Sequence, residues 1–206
     1  MKKILLITFG CILGLYQPLK AQDAENVVNG HEYVDLGLPS GLKWATCNVG
    51  ASSPEKSGNY YAWGETKPKD EYTSGNSLTY GKEIDDIGGN VQYDAATANW
   101  GEGWRMPTID EMQELIDNCD WQWTKQNNVK GYKVIGVNGN SIFIPETGKW
   151  MNNTFTSGSC DGSAYWSSIS YYTGMSCWLS FNDFELGLFE MAGRSWGMSV
   201  RPVIEL

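Results

Sequence analysis

The sequence predicts an α+β domain with two helices, short antiparallel strands and long loops. Two short helical patterns each begin at a capping residue, Asp94 and Thr108. Several short stretches rich in apolar residues are bounded by Gly, Pro or Asn, which is typical of strands in antiparallel pairs. The chain also holds 24 Gly, 10 Trp and 11 Tyr, so many turns and large rings leave little room for long helices.

Two strands are predicted before the first long loop, over His31 to Leu38 and over Leu42 to Val49. The segment from Gly50 to Gly89 is rich in glycine and polar residues and predicts a long loop. A loop of this length in a compact domain is either functional or anchored by its own aromatic side chains. Three rings are candidate anchors: Tyr60, Tyr61 and Trp63.

The first helix is expected from Asp94, its cap, to Trp100. The second begins at a capping box, in which the Thr108 hydroxyl and the Glu111 carboxylate each accept a bond from a backbone N–H of the first turn. Apolar residues then recur at helical spacing on one face, which we expect to be buried. These residues are Ile109, Met112, Leu115, Ile116 and Cys119.

The second half of the chain predicts further strands. Gly131 to Val137 and Ser141 to Pro145 flank Asn138-Gly139, a strong signal for a tight hairpin. The polar segment from Lys149 to Ser163 predicts a second long loop. Three more strand candidates follow it: Ala164 to Ser170, Ser176 to Phe181 and Met198 to Ile204.

The N-terminal segment predicts export. Lys2 and Lys3 precede the apolar run from Ile4 to Tyr16, and Ala21 supplies a small residue for cleavage, as in a secretory signal peptide. The chain is thereby divided into a signal peptide (1–21), a short N-terminal arm (22–30) and one domain (31–206). The alternatives are a buried N-terminal helix and a lipoprotein that carries its lipid on Cys11. No later segment is apolar enough to span a membrane, so we expect a secreted or cell-surface location, in the periplasm or on the outer-membrane exterior.

Composition argues against several functional classes. Loss of the signal peptide, whose charged residues are Lys2, Lys3 and Lys20, takes the net charge from −9 to −12. Such an acidic chain is a poor candidate for binding nucleic acid or an anionic membrane surface. His31 is the only histidine, no phosphate-binding glycine loop occurs, and no pair of carboxylates stands out for glycoside cleavage. We therefore expect no catalytic residue, no cofactor and no metal.

The cysteines left after cleavage favour disulfides in an exported chain. They are even in number and allow three pairings. A zinc site is disfavoured because the sequence has no CxxC pair and a single histidine.

Four motifs, in order along the chain, resemble a known family. They are VDLGLPSGLKWATCNVGA (34–51), YAWGET (61–66), WRMPTIDEMQEL (104–115), and YWSS (165–168) followed by GRSWGMSVRPV (193–203). The combination resembles the Fibrobacter succinogenes major paralogous domain, which is abundant in exported proteins of Bacteroidetes, over nearly the whole mature chain. This resemblance implies a C-type lectin-like fold, in which the first and last strands pair.

The resemblance also implies that Trp104 is a core ring and that Arg105 ties loops to a carboxylate or to backbone carbonyls. It extends to formylglycine-generating proteins, which would need a reactive cysteine pair near the C-terminus. Cys160 and Cys177 are nearby but lie outside the RSWGMSVRPV segment. Nothing basic surrounds these two cysteines to activate a thiolate. We predict instead that Cys160 pairs with Cys177 across a short loop, which the resemblance does not imply, and that Cys47 pairs with Cys119.

Lectins of this fold often bind sugar through calcium, with an EPN or QPD triplet and a WND triplet. The nearest segments, IPETG (144–148) and FNDFE (181–185), match neither. Asn182, Asp183 and Glu185 could supply oxygen ligands, and an acidic surface turn is the alternative interpretation.

Aromatic residues beside Asn, Asp and Gly in the C-terminal loops suit sugar faces and protein contacts, whereas Trp166 and Trp178 are expected in the core. We predict an exported, non-catalytic recognition module for a glycan or protein ligand. The alternatives are a structural or surface-assembly subunit and an unrecognised enzyme. A concave aromatic patch would favour the module, and a long unpaired edge strand would favour assembly. The candidate ligand-binding residues are Tyr171, Tyr172, Asn182, Asp183, Phe184 and Trp196.

Overall fold

The computed structural model describes residues 26–157 and 162–206. It is mostly β, with two helices and four antiparallel sheets in the described residues, which confirms the predicted α+β class. The proposed signal peptide, with Cys11, lies outside the described residues, as does Cys160. Within those residues, no helix combines the length and the apolar character that a membrane crossing requires.

The strands are β1 (Val27–Val28), β2 (His31–Asp35), β3 (Lys43–Ala45), β4 (Trp104–Arg105), β5 (Asp120–Gln126), β6 (Val129–Ile135), β7 (Ser141–Pro145), β8 (Lys149–Met151), β9 (Thr154–Thr156), β10 (Ser163–Tyr172), β11 (Met175–Phe181), β12 (Leu186–Gly193) and β13 (Val203–Ile204). The α-helices are α1 (Ala95–Trp100) and α2 (Ile109–Asn118), and a 3-10 turn covers Ser74–Asn76.

The central sheet has the strand order β1-β2-β3-β13-β4. Its last strand pairs with β3 and β4, through Val203 opposite Trp44 and Arg105. The expected pairing of the first and last strands is therefore wrong in detail, because β2 and β3 separate β13 from β1. The expected N-terminal arm also ends in regular structure, since Val28 pairs with His31 in a hairpin.

Three smaller sheets complete the fold: β5-β6-β7, β8-β9 and β10-β11-β12. The predicted Asn138-Gly139 hairpin is confirmed between β6 and β7, with Gly139 at a φ of 86°. The predicted loop from Lys149 to Ser163 instead contains the β8-β9 hairpin, and β5 and β12 were not predicted. In β5, the half-buried Trp121 and Trp123 alternate with exposed polar residues, which is the strand signal that the sequence did carry.

The core consists of two clusters of buried residues, and β10 contributes to both. Ala164 and Trp166 point into the first cluster, which also holds Trp63 and Trp104. Tyr165 points the other way, into the second cluster with Phe181. This alternation is the period of two that a strand imposes, and it places the β10-β11-β12 sheet between the two clusters.

Both predicted helix starts are confirmed. Asp94 accepts bonds from the backbone N–H of Ala96 and Thr97, and Thr108 and Glu111 form the capping box of α2. The same Glu111 carboxylate accepts two bonds from Arg105, at 2.8 and 2.6 Å. Arg105 also donates to Glu205 at 2.6 Å.

Trp104 is fully buried, as expected, and its indole N–H donates to the Val28 carbonyl at 3.1 Å. The stretch before α2 therefore fixes one ring in the core and ties the chain end, through Glu205, to the helix start.

The long loop from Gly50 to Gly89 is anchored by its own rings, as one of the two interpretations required. Tyr61 and Trp63 are buried in the first core cluster. The Trp63 indole donates to the Ser167 carbonyl at 3.0 Å, and the Tyr60 hydroxyl donates to the Thr147 carbonyl. These contacts fix the first part of the loop against β10 and the segment before β8.

The predicted disulfide between Cys47 and Cys119 is absent, and both cysteines are free thiols. Cys47 follows β3 and packs against the first core cluster, whereas Cys119 is the C-cap of α2 and packs against the second. The helical spacing correctly placed Cys119 on the buried face, but that face points to the other half of the core. Cys177 is also free and buried in β11, and its predicted partner, Cys160, lies outside the described residues.

Candidate functional site

The six predicted ligand-binding residues lie in two groups, at opposite ends of β11. Tyr171 and Tyr172 end β10, and Trp196 follows the end of β12. The other three, Asn182, Asp183 and Phe184, form the turn between β11 and β12. Since β11 has seven residues, roughly 20 Å of strand separates the groups. A single compact site cannot contain all six.

Two residues of the first group, Tyr172 and Trp196, line a surface cavity of about 480 Å³, which we call the aromatic groove. Three rings from separate parts of the chain converge there: Tyr80, Tyr172 and Trp196. Polar groups lie between them, and none of the lining residues is charged. The rest of the lining consists of Ser74, Gly81, Asn152, Thr173, Gly174, Met175, Met191, Gly193 and Ser195.

Two glycines allow these rings to lie close against the backbone. A Cβ atom on Gly174 would meet the Tyr80 ring at 3.0 Å, and one on Gly193 would meet the Trp196 indole nitrogen at 3.0 Å. The Gly81 N–H also donates to the Thr173 carbonyl at 2.6 Å, which fixes the Tyr80 segment to the β10-β11 turn. The groove is therefore built by backbone contacts as well as by its side chains.

A buried arginine holds the loop that carries Tyr80. The Arg194 guanidinium donates to the carbonyls of Thr79 at 3.2 Å, Lys82 at 2.8 Å and Ile84 at 3.0 Å. It also donates to the Ser170 hydroxyl and lies 4.2 Å from the centre of the Trp63 ring. Burial lowers the pKa of Arg194. One side chain thus ties the Tyr80 loop to the β10-β11-β12 sheet.

Tyr171 lies next to the groove. Its ring meets that of Tyr172 edge to face, with centroids 4.4 Å apart. Hydrogen bonding and charge interaction with Tyr172, followed by the charge of Glu190, raise the pKa of the Tyr171 phenol. Tyr171 and Tyr172 also line a neighbouring cavity of about 500 Å³ that contains Lys82 and Asp85.

The second group of predicted residues forms a self-contained turn. The Asn182 side-chain oxygen accepts bonds from the N–H groups of Phe184 and Glu185, each at 2.8 Å. This oxygen is therefore used by the turn itself, as in an ordinary Asx turn. One Asp183 carboxylate oxygen is buried without a partner in the structure, and Phe184 is 87% exposed.

No group of three His, Cys, Asp or Glu side chains that could hold a metal occurs in residues 26–157 and 162–206. The one histidine has a packing role in the fold. The His31 ring stacks on Trp100 at a centroid distance of 3.8 Å and meets Trp104 edge to face. Burial lowers the pKa of His31 below its ordinary value of 6.5.

Of the two tryptophans expected in the core, Trp166 is fully buried and Trp178 is half-buried. The Trp178 ring packs against Phe189, with centroids 5.4 Å apart, and the Lys149 ammonium group lies 5.2 Å from it.

Of the residues that line the groove, sequence reasoning predicted only Tyr172 and Trp196. The large side chains that it missed are Tyr80, Met175, Met191 and the supporting Arg194. Tyr80 lies in a loop far from the C-terminal strands along the chain, and no pattern indicated that the two meet. Arg194 was visible only as part of the GRSWGM segment, where nothing distinguishes a buried arginine from an exposed one. Comparisons of the chain with protein-family models, curated proteins and solved structures found no match.

Proposed function

We propose that this protein is an exported, non-catalytic recognition module that binds a glycan or protein ligand in the aromatic groove. The observation that carries the proposal is the convergence of Tyr80, Tyr172 and Trp196 on one uncharged cavity of about 480 Å³. Its volume falls within the range of about 300–1,000 Å³ that is typical of ligand pockets.

The chemistry of the groove suits recognition. Tyrosine and tryptophan provide large, rigid contact faces at low entropic cost, together with a hydroxyl or an N–H group. Asn152, Ser74 and Ser195 add hydrogen-bonding groups among the rings. Because Arg194 and the two glycines fix the Tyr80 loop and the rings, a ligand would meet a site that is already formed.

We further propose that the fold is C-type lectin-like and that the chain belongs with the Fibrobacter succinogenes major paralogous domain. The motif residues Trp104, Trp166 and Arg201 all lie in the core, as expected if these motifs specify a shared fold. The N-terminal pattern supports export to the cell surface or beyond, with cleavage after Ala21.

A structural or surface-assembly subunit is the second candidate function. The observation in its favour is β12, a strand of eight residues at the edge of its sheet. A free strand edge can pair with another chain.

The test is to probe the mature protein, from Gln22 to Leu206, on arrays of glycans and of peptides. We expect at least one class of ligand to bind, and we expect Tyr80→Ala and Trp196→Ala each to weaken this binding by about tenfold or more, as for an aromatic residue at the centre of a binding site. The melting temperature of each variant serves as the folding control. Binding that is unchanged in both folded variants would contradict the proposal.

A further inference from the structure

The outer edge of β12 is open in the described part of the chain. This strand covers eight residues, Leu186–Gly193, and pairs with β11 along its other edge. In residues 26–157 and 162–206, no other strand pairs with it. By contrast, the outer edge of β10 is covered, since it bonds to residues such as Ser199 and Asp85.

The register of the hairpin shows which backbone groups point outward. The Asn182 N–H donates to the Glu185 carbonyl at 2.8 Å, so these two residues form a hydrogen-bonded pair. Because hydrogen-bonded and non-bonded pairs alternate in an antiparallel ladder, Leu186 opposite Phe181 and Leu188 opposite Leu179 are non-bonded pairs. The N–H and C=O groups of Leu186 and Leu188 therefore point toward the open edge.

The open edge leads, past an irregularity in register between Phe189 and Ala192, to the aromatic groove. Met191 and Gly193, near the end of β12, line the groove. Met191 is 66% exposed, and Phe189, two residues earlier in β12, is 39% exposed. Methionine side chains adapt their shape to varied apolar partners. A strand laid along β12 would therefore reach an apolar anchor site at its end.

The charge along this edge is uniformly acidic. From Asn182 to Gly193 the chain contains Asp183, Glu185 and Glu190 and no lysine or arginine. Glu185 and Glu190 are exposed, whereas the nearby Lys149 is buried against Trp178. Two copies of β12 placed edge to edge would bring like charges together, which is destabilising. A basic partner strand complements this edge.

We propose that a basic, extended segment of a partner protein pairs with the open edge of β12 and inserts an apolar side chain into the aromatic groove. Backbone hydrogen bonds to Leu186 and Leu188 provide affinity, while the groove and Glu190 provide specificity, as in other peptide-binding sheets. This inference rests on the proposed function, since it names the class of ligand that the groove takes.

The test starts from a random peptide library displayed on phage and selected against the mature protein. We expect the enriched peptides to combine lysine or arginine with an apolar residue and no proline in the bound segment. A chosen peptide is then synthesised with N-methyl groups at single positions. Methylation at alternate positions should weaken binding by about tenfold, because each removes a backbone donor, while the intervening positions should tolerate it.

Charge reversal tests the acidic edge. Glu190→Lys should weaken binding of the same peptide by about tenfold. Glu102→Lys, an equal change of charge at an exposed position near β4, should have little effect on binding. Leu188→Pro, which removes an outward N–H and no ladder bond, should also weaken binding. Melting temperatures establish that the variants are folded.

The outcomes separate this inference from the proposed function. If no peptide is enriched, or if no alternating pattern of N-methylation appears, pairing with β12 is wrong. Loss of glycan binding in Trp196→Ala would then still support the groove as a site. Peptide binding that survives both Tyr172→Ala and Trp196→Ala would overturn the groove itself. Pairing of two copies, seen as a dimer that Leu188→Pro dissolves, would also contradict the basic partner.

Discussion

Single buried arginines connect segments that are far apart in the sequence. Arg201 donates to the Asn48 side-chain oxygen at 2.8 Å and to the carbonyls of Thr46 at 2.6 Å and Phe143 at 3.0 Å. Arg194 connects the Tyr80 loop to the β10-β11-β12 sheet in the same manner. Such partners satisfy the donors of a buried guanidinium, so these residues organise loops that lack regular structure.

Of the residues before α2, Trp104 packs in the core and Thr108 caps the helix. Trp104→Ala should lower the free energy of unfolding by about 3–5 kcal/mol, because it empties a fully buried ring position. Thr108→Ala should lower it by about 1 kcal/mol, through loss of the N-cap bond. Urea denaturation measures both, with Val91→Ala as an exposed control. A Trp104→Ala protein of unchanged stability would contradict the core assignment.

The protonation of His31 should make stability depend on pH. Burial lowers its pKa below 6.5 in the folded protein, so the unfolded chain binds the proton first as the pH falls. The contribution of neutral His31 to the free energy of unfolding is therefore fully present above pH 6.5. It is lost as the pH falls through the lower pKa of the folded protein. Relative to wild type, His31→Phe should lose less stability on acidification. An NMR titration that gives His31 a pKa above 6.5 would contradict this explanation.

At the scale of elements, the sequence was most informative where a specific local signal marked the boundaries. The capping box at Thr108 and the Asn138-Gly139 turn define α2 and the β6-β7 hairpin, and β7 covers the predicted residues. β12 was missed because Gly187 and Glu190 interrupt its apolar pattern. Strand pairing between distant segments leaves no local signal, so the order of the central sheet was only partly predicted.

Close backbone packing provides a test of the turn that follows β6, where Gly136 lies. A Cβ atom on Gly136 would lie 2.1 Å from the Leu36 carbonyl oxygen, whereas one on Gly75 would meet nothing within 4 Å. Gly136→Ala should therefore lower the free energy of unfolding by about 1–3 kcal/mol, as expected for overpacking. Gly75→Ala, the control, should leave it nearly unchanged. Equal stabilities of the two variants in urea would show that the turn after β6 does not approach Leu36 this closely.

At the scale of the whole molecule, two core clusters share the β10-β11-β12 sheet. This arrangement determines which cysteines can meet and where the candidate site residues lie. Cys47 and Cys119 are separated because each packs against a different cluster. Composition directed attention to the C-terminal aromatic residues, and the structure divides these residues between two ends of one sheet. Composition could not show that β11 carries Tyr172 and Phe184 to opposite ends, because that depends on hairpin register.

The thiols give a prediction for the whole chain. Alkylation of the denatured, unreduced protein should modify Cys47, Cys119 and Cys177, because all three are free thiols. In the native protein the reaction should be slow for Cys119, since burial, followed by the charge of Glu114, raises its thiol pKa to about 11. Mass spectrometry identifies the modified peptides. A peptide that links Cys47 to Cys119 would contradict the two-cluster arrangement.

The central claim is that ligand binds at the aromatic groove and not at the β11-β12 turn. The most direct measurement is calorimetric titration of a ligand from the arrays into wild type, Trp196→Ala and Phe184→Ala. Phe184 is the matched control, because it is a large ring, 87% exposed, at the other end of the same sheet. We predict about tenfold or greater loss of affinity for Trp196→Ala and wild-type affinity for Phe184→Ala. The reverse result, with both proteins folded, would place the site at the turn and contradict the account.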